Sequence, residues 1–317
     1  MQASSLVVGV DVAKAQLAVR TCEQAMARQV PNQLEAIDAW LRELPKETVV
    51  AMEATGRYHQ LLASRAHAAG MRVYVLNARD VYFYCKAMGV RGKTDRGDAA
   101  LIARYAAEHH AKLRAWQPGA ATHLRVEELV KRRGLLVSKR DAVRQTLRGC
   151  SDLAASLAQL ERSFEELLAA LDAKVQALID ADAALLAGQK RLAGVIGIGP
   201  LGSAMLAVLL ARFNFANADA LVAYSGLDPR PNDSGNKRGK RRLTKRGPAY
   251  LRRQVYLIGF SASHSKALRP LYQALRTRGL ATTEAIVILG RKLLRVAYSV
   301  WRSGQAFDSS KLFPTCS

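Results

Sequence analysis

Cysteine and histidine are scarce in this chain of 317 residues, which has only 4 cysteines and 6 histidines. The cysteines show no C-x-x-C spacing, which argues against a zinc site and against a disulfide framework; they are Cys22, Cys85, Cys150 and Cys316. The one adjacent histidine pair, His109 and His110, cannot direct both rings at one ion from a helix. We therefore expect solvated or hydrogen-bonded histidines in a protein of the reducing cytosol.

Long apolar runs are also missing. No run reaches the roughly 18 residues that a membrane span requires, and no charged segment followed by an apolar one opens the chain as in a signal peptide. These absences predict no membrane association and a cytoplasmic location.

Acidic residues are outnumbered, with 26 Asp and Glu against 48 Lys and Arg and a net charge of +22. A field this positive attracts polyanions. The excess is concentrated between Arg191 and Ser317, where 21 Lys and Arg face 5 Asp and Glu, a net +16. We expect a nucleic-acid surface mainly in this last third, against the alternative of a generally basic protein.

Four carboxylates stand out in this basic chain because they occupy three short, distinct contexts. Asp11 ends the apolar run 6–10, Glu53 ends the apolar run 48–52, and Asp95 and Asp98 stand where a helix is expected to begin. Clustered acids in a basic protein need a cation, and oxygen ligands suit Mg²⁺ (or Mn²⁺). For Asp95 and Asp98 alone, acids that favour the start of a helix are an equally simple explanation.

The pattern around these acids predicts an α/β unit. Residues 6–31 are typical of paired strands, and Asn32 with Glu35 resembles a capping box that starts a helix. Apolar runs at 48–54 and 71–76 predict further strands, with helical patterns at 58–69, 79–88 and 99–111. A hairpin followed by alternating strands and helices implies a mixed sheet. Asp on an early strand, Glu on a later one and Asp on a helix follow the order of the ribonuclease-H-like fold, in which such carboxylates hold paired metal ions.

The middle of the chain, 124–186, has almost no Gly or Pro and reads as helix. Its apolar residues repeat at alternating spacings of four and three, as in a coiled-coil seam: Leu153, Leu157, Leu160, Phe164, Leu167 and Leu171. Two interpretations stay open, namely a helical hairpin packed on its own domain and a seam between two subunits.

Two features mark the last third. The glycine-rich segment 192–200 before an apolar helix resembles a helix-hairpin-helix, whose backbone N–H groups meet a DNA phosphate; a purely structural turn is the alternative. The loop around Ser234 and Gly235 runs into a basic tract able to neutralise several phosphates: Lys237, Arg238, Lys240, Arg241, Arg242, Lys245, Arg246, Arg252 and Arg253. A Ser-Gly pair in a loop is by itself usually a turn.

Taken together, these motifs resemble the DEDD (Piv-type) transposases of the insertion-sequence family numbered one hundred and ten. The resemblance is carried by residues 9–14, 53–58 and 93–99, and by residues 223–230, 233–235 and 245–253. It implies a bacterial, RNA-guided serine recombinase with a RuvC-like N-terminal domain. Under it Asp11, Glu53, Asp95 and Asp98 bind Mg²⁺ or Mn²⁺, and Ser234 forms a covalent phosphoserine link to DNA.

The same resemblance implies donor and target DNA and a structured non-coding guide RNA as partners. It also implies homodimers or homotetramers, in which the RuvC-like domain of one subunit meets the serine-bearing domain of another, acting at the nucleoid. The expected architecture is therefore α/β plus α: a RuvC/ribonuclease-H-like domain at 1–115, a helical coiled-coil segment at 116–190 and a mainly helical transposase domain at 191–317.

Two other functions compete with transposition. A RuvC-like metal-dependent nuclease or junction resolvase would use the carboxylates with water as nucleophile. A non-catalytic nucleic-acid-binding protein would use only the basic third of the chain.

Overall fold

A computed structural model describes residues 6–21, 28–54, 56, 58–89, 95–231, 239 and 241–308, with backbone alone for 95–97. Ser234, Lys237, Arg238 and Lys240 therefore lie outside the described residues. The chain divides into two compact units, Met1–Pro118 and Gly119–Ser317. The separate boundary expected near residue 190 stays a prediction.

The first unit contains a five-stranded mixed sheet in the order β3-β2-β1-β4-β5. β1 pairs antiparallel with β2 and parallel with β4, and β4 pairs parallel with β5. The predicted mixed sheet is confirmed, and the order is consistent with a ribonuclease-H-like fold. Its elements are β1 Val7–Val12, β2 Gln16–Thr21, β3 Arg28–Pro31, α1 Leu34–Arg42, β4 Val49–Glu53, α2 His59–Ala68, β5 Arg72–Leu76, α3 Ala78–Ala87 and α4 Asp95–His109.

Each face of this sheet is covered by its own pair of helices. Because side chains alternate along a strand, Val8, Val10 and Val50 share one face and pack in a core with residues of α1 and α2. On the other face, Val49 and Ala51 pack with Ile102 and other residues of α3 and α4. Burial on both faces explains why β1 and β4 are almost continuously apolar until their last residues.

The capping box predicted at Asn32 is wrong. Helix α1 begins at Leu34, and its N-cap is Gln33, whose side chain makes no capping bond. The amide of Asn32 instead donates to the carbonyl oxygens of Ala13 and Tyr58, at 2.9 and 3.2 Å. The sequence pattern does not distinguish the two uses of Asn, because an Asn before a helix can cap it or can donate from a loop to distant carbonyls.

The second unit is helical apart from one short ribbon. Its elements are α5 Ala121–Thr146, α6 Ala154–Asp180, α7 Ala183–Ala193, α8 Pro200–Arg212, α9 Ala218–Ser225, β6 Pro229–Arg230, β7 Arg242–Leu243, α10 Ala249–His264, α11 Arg269–Thr277 and α12 Thr282–Ser303. Helix α8 is buried along nearly its whole length, as expected for the centre of a helical domain. No helix in the described part of the chain combines the length and apolar character that crossing a bilayer requires.

Helices α5 and α6 form an antiparallel hairpin. Two ion pairs fix their direction, since Arg133 bonds Asp172 and Arg144 bonds Glu161. The end of the hairpin near Val126 and Ile179 packs into the core of the unit. Three residues of the predicted seam stay exposed at seven-residue spacing: Leu153, Leu160 and Leu167. The seam as a coiled coil stays a prediction.

The segment between α7 and α8 is the one for which the sequence predicts a helix-hairpin-helix. Gly197 has a φ of +88°, a left-handed conformation that glycine adopts without strain. A Cβ there would also stand 2.8 Å from the Ile258 carbonyl oxygen. Glycine at this position is thus required by packing against α10, and the DNA-binding role of the segment stays a prediction.

Candidate active site

The candidate site of the first unit is set by the register of two parallel strands. Val10 of β1 lies beside Met52 of β4, so Asp11 and Glu53 are the next residue on each strand. Glu53 in turn pairs with Leu76 at the end of β5. The carboxyl ends of β1, β4 and β5 therefore meet at one edge, where ligand groups gather in open α/β sheets. Asp11 and Glu53 are both half-buried there.

Helix α4 brings its first turn to the same edge because β1 contains a glycine. A Cβ on Gly9 would lie 2.0 Å from the carbonyl oxygen of Ala99 and 2.4 Å from the nitrogen of Ala103. The helix backbone thus rests directly on β1, a contact that only glycine permits.

The start of α4 lies beside β1, close to the strand end that carries Asp11. Gly9 and Asp11 project from the same face and are about 6.6 Å apart along the strand. Asp95 and Asp98 precede Ala99 by four residues and by one, and each residue adds about 1.5 Å along a helix. Asp98 is half-buried, and the side chain of Asp95 lies outside the described residues.

The structure therefore brings Asp11, Glu53 and Asp98 to one edge of the sheet without closing them into a cage. In the part of the chain with described side chains, no three His, Cys, Asp or Glu are gathered so as to hold a metal ion. The donor set at the edge consists of carboxylate oxygens from two strand ends and one helix start. That chemistry fits a hard divalent ion such as Mg²⁺ and does not fit a thiolate or imidazole metal.

Asn32 is a residue of this edge that sequence reasoning missed. Its amide joins Ala13, in the turn after β1, to Tyr58, in the loop after β4. It thereby ties together the two backbone segments that follow Asp11 and Glu53. The only sequence signal was an Asn at the end of β3, a position with many possible uses.

A second candidate site lies in the second unit, at the ribbon between whose strands the predicted serine falls in the sequence. β6 and β7 pair antiparallel, with Pro229 beside Leu243 and Arg230 beside Arg242. Below them, the Thr244 N–H donates to the Asp228 carbonyl at 3.0 Å and the Lys245 N–H to the Gly226 carbonyl at 2.9 Å. Ser234 lies between β6 and β7 in the sequence, outside the described residues.

The base of the ribbon is a backbone-to-backbone junction between two glycines. Gly226 ends α9 with a φ of +70°, and a Cβ on it would stand 2.6 Å from the nitrogen of Gly247. A Cβ on Gly247 would stand 1.9 Å from the Tyr224 carbonyl oxygen. Between them Lys245 has a φ of +54°, which is uncommon for a residue with a side chain.

Arg252 stabilises this junction from helix α10. Its guanidinium donates to the carbonyl oxygens of Gly247 and Lys245, and so satisfies two acceptors in the turn that contains the strained residue. Arg253, its neighbour, donates to the Gly134 carbonyl of α5 at 2.7 Å. Both arginines thus have a structural role besides their predicted contact with nucleic acid, which stays a prediction.

Asp228 is the charged residue nearest the start of the ribbon, and it is held from two sides. The Thr244 hydroxyl donates to its carboxylate. Burial, followed by the charge of Arg295, lowers the pKa of Arg291, while Asp228 opposes this shift. A half-buried cation thus lies near Asp228 at the base of the ribbon.

Four predicted nucleic-acid contacts are exposed cations around this ribbon: Arg241, Arg242, Lys245 and Arg246. They project from a base fixed by glycine packing and Arg252. Their arrangement suits binding of a phosphate backbone, because it presents several positive charges without acidic neighbours in the sequence.

Comparison with known proteins decides the family. The segment 8–155, which contains the carboxylate edge, matches a family of DEDD transposases of the IS110 type. The segment 189–273, which contains the ribbon, matches the transposase family IS116/IS110/IS902.

The chain belongs to the IS110 family of transposases. The carboxylate edge and the ribbon each fall inside a segment that matches this family, and a DNA transposase or recombinase activity follows. DEDD transposases are typically metal-dependent, in agreement with the oxygen ligands at the sheet edge.

Three relatives are similar to this chain, and two of them are named as gene-inverting proteins. A pilin gene-inverting protein of Moraxella lacunata is 29% identical over 264 residues, 81% of each chain, and its counterpart in Moraxella bovis matches to the same extent. A 43.6 kDa protein of insertion element IS110 from Streptomyces coelicolor is 28% identical over 156 residues, which are 49% of this chain and 38% of that protein.

Proposed function

We propose that this IS110-family protein is an RNA-guided transposase that excises and inserts a mobile DNA element through a covalent phosphoserine intermediate. The observation that carries the proposal is the edge of the sheet in the first unit. Strand register and the contact of α4 with Gly9 bring Asp11, Glu53 and the start of α4 together. Three acids so close together in a chain of net charge +22 favour a shared cation.

Asp11, Glu53, Asp95 and Asp98 would hold Mg²⁺ or Mn²⁺. When bound there, the ion supplies positive charge that neutralises the scissile phosphate and favours the ionised form of an attacking hydroxyl. A histidine base is then not required, in agreement with the absence of histidine from the motifs of both units.

Ser234 is the proposed nucleophile. Its Oγ forms a bond to the phosphorus of the cut strand and gives up its proton to solvent, while the bond from phosphorus to the leaving sugar oxygen breaks and that oxygen takes up a proton. The number of phosphoester bonds is unchanged, so the energy of the cut bond is stored. Attack by a free hydroxyl end of another strand reverses the step and releases the serine.

The exposed cations of the ribbon have a supporting role in this proposal. Arg241, Arg242, Lys245 and Arg246 would neutralise phosphates beside the serine, and Lys237, Arg238 and Lys240 would extend the same surface. Arg252 and Arg253 would add charge at its margin besides their backbone contacts.

Partners and assembly complete the proposal. Donor and target DNA bind the basic second unit, and a structured non-coding RNA guides their recognition, as the family resemblance implies. The exposed seam of Leu160 and Leu167 on α6, with Leu153 just before that helix, would pair subunits into dimers and tetramers. The protein would act on DNA at the bacterial nucleoid in the cytoplasm.

The deciding experiment separates the serine mechanism from hydrolysis. Wild-type protein, Ser234→Ala and Glu53→Gln are incubated with the element DNA, its flanking transcript and Mg²⁺, and products are resolved with and without protease. We expect a protein–DNA adduct for the wild type and neither adduct nor recombinant for either variant, while all three still bind DNA. Cleavage by Ser234→Ala without an adduct would indicate a metal-dependent nuclease. Full recombination by Glu53→Gln would indicate that the carboxylates have another role.

A further inference from the structure

Helix α3 exposes two large aromatic side chains side by side. Tyr82 is 52% exposed and Phe83 48% exposed, and their rings meet edge to face at 5.4 Å. Large aromatic side chains are usually buried, because each removes much apolar area from water. Two of them together on the outer face of a helix indicate a binding surface.

Each ring also has a cation over its face. The guanidinium of Arg79 lies 5.5 Å from the centre of the Phe83 ring, and the ammonium of Lys86 lies 4.9 Å from that of Tyr82. The exposed face of α3 is thus a stripe of Arg79, Tyr82, Phe83 and Lys86, here called the α3 stripe. Rings that stack with bases and cations that bind phosphates are the combination with which proteins hold single-stranded nucleic acid.

The opposite face of α3 is firmly attached to the domain. Val81 is buried in the core, the Tyr84 ring packs against the Tyr105 ring at 5.1 Å, and the Tyr84 hydroxyl donates to Glu108 of α4 at 2.7 Å. This hydrogen bond, followed by that from Arg104, lowers the pKa of Glu108. The α3 stripe is therefore presented by a helix that is fixed to the one carrying Asp98.

The α3 stripe begins at the carboxylate edge. Leu76, the last residue of β5, pairs with Glu53, and the next residue, Asn77, caps α3 by accepting from the Arg79 N–H at 2.9 Å. A polynucleotide lying along the α3 stripe would therefore lead away from the carboxylates. Duplex DNA keeps its bases stacked inside, so only an unpaired strand can use these rings.

We propose that the α3 stripe binds an unpaired segment of the DNA beside the cut site, with bases stacked on Tyr82 and Phe83 and phosphates on Arg79 and Lys86. The inference rests on the family's action on DNA and does not depend on Ser234. Charge complementarity decides the occupant: the two cations that border the rings favour a polyanion over an apolar protein partner.

The test measures binding of a fluorescein-labelled oligothymidylate of about 15 nucleotides by the full chain. Moderate salt is used because it suppresses charge-only contacts of the basic second unit. We expect Phe83→Ala or Tyr82→Ala to weaken single-strand binding about tenfold, with duplex binding unchanged. Phe83→Trp should bind the single strand as tightly as the wild type does. Phe83→Leu, which keeps an apolar surface but no ring, should bind as weakly as Phe83→Ala. Leu61→Ala, an exposed apolar residue on α2, is the matched control.

A mapped crosslink keeps the test specific to this surface. Iododeoxyuridine in the same oligonucleotide, irradiated with the wild-type protein, should attach to the tryptic peptide 80–86. Crosslinks only in the second unit, or Phe83→Leu binding like the wild type, would overturn the proposal. If the Tyr82→Ala and Phe83→Ala variants lose binding to an oligouridylate but bind oligothymidylate like the wild type, the surface binds RNA instead. Because the changed side chains are exposed, an unchanged melting temperature confirms that each variant is folded.

Discussion

Gly9 of β1 lies directly beneath Ala99 of α4, and a Cβ at Gly9 would stand 2.0 Å from the Ala99 carbonyl oxygen. This one close approach determines where the first turn of α4 sits, and hence how far its acids are from Asp11. Gly9 is in the segment that matches the DEDD transposase family, but it carries no chemistry of its own. Its contribution is to the distance between the helix and the strand.

The Gly9 contact predicts a strong effect from a very small substitution. Gly9→Ala should lower the free energy of unfolding by about 3 kcal/mol, because the added methyl group must displace helix backbone. It should also abolish recombination even where the protein stays folded. Urea unfolding and a recombination assay test both expectations. Gly134→Ala in α5, where a Cβ would find the nearest atom at 3.7 Å, should be neutral or stabilising.

The bridge made by Asn32 gives a second prediction. Asn32→Ala leaves the carbonyl oxygens of Ala13 and Tyr58 without this donor, so stability should fall by about 1–2 kcal/mol. Recombination should fall further than stability alone explains, since the loops after Asp11 and Glu53 lose their link. Gln33→Ala, one residue along and without a capping bond, is the control for thermal unfolding and activity. Equal behaviour of the two variants would contradict the bracing role.

Arg252 and Arg246 should respond in opposite ways to the same substitution. Arg252→Met removes the donor to Gly247 and Lys245, so the melting temperature should fall, and DNA affinity should fall less than for Arg246→Met. Arg246→Met alters an exposed cation, so DNA affinity should fall, and the slope of log affinity against log salt should decrease by about 0.9. Calorimetry and titrations at several salt concentrations distinguish the two. A stable Arg252→Met protein with weakened DNA binding would reverse the assignment.

The exposed leucines of α6 predict an effect on assembly. Leu160→Glu places a charge in the middle of the stripe formed with Leu153 and Leu167, and a buried unpaired charge is costly in a helix–helix seam. We expect the mass from light scattering to shift toward the monomer, with helix content unchanged. Gln159→Glu adds the same charge one residue away and should leave the mass unaltered. If both variants assemble like the wild type, the seam is not the subunit contact.

Much of the first unit was predictable because its signals are local. The apolar runs of β1 and β4 and the acids that end them mark both strand ends, and the ribonuclease-H-like order follows from their sequence. The Asn32 prediction failed because a capping motif and a loop-bridging amide share the same residue types. Gly9 in a strand interior was a usable signal, since such glycines often mark a close backbone approach.

The second unit was less predictable because its key contacts join residues distant in sequence. Gly226 and Gly247 interlock through backbone atoms, and nothing near either glycine identifies the other. Arg252 reads as one more cation of a basic tract until its partner carbonyls are known. Tyr82 and Phe83 posed a related difficulty, since helical periodicity gives no reason for two adjacent aromatics to stay exposed.

The most direct test of the account is diffraction from crystals soaked with Mn²⁺, recorded where manganese scatters anomalously. We predict a peak at the end of β1 and β4, about 2.1 Å from carboxylate oxygens of Asp11 and Glu53, with Asp95 or Asp98 among the ligands. The same soak of Asp11→Asn crystals should lose it. Ordered crystals of the wild type without a peak at this edge, or with Asp11 and Glu53 pointing away from the bound ion, would contradict the proposed active site.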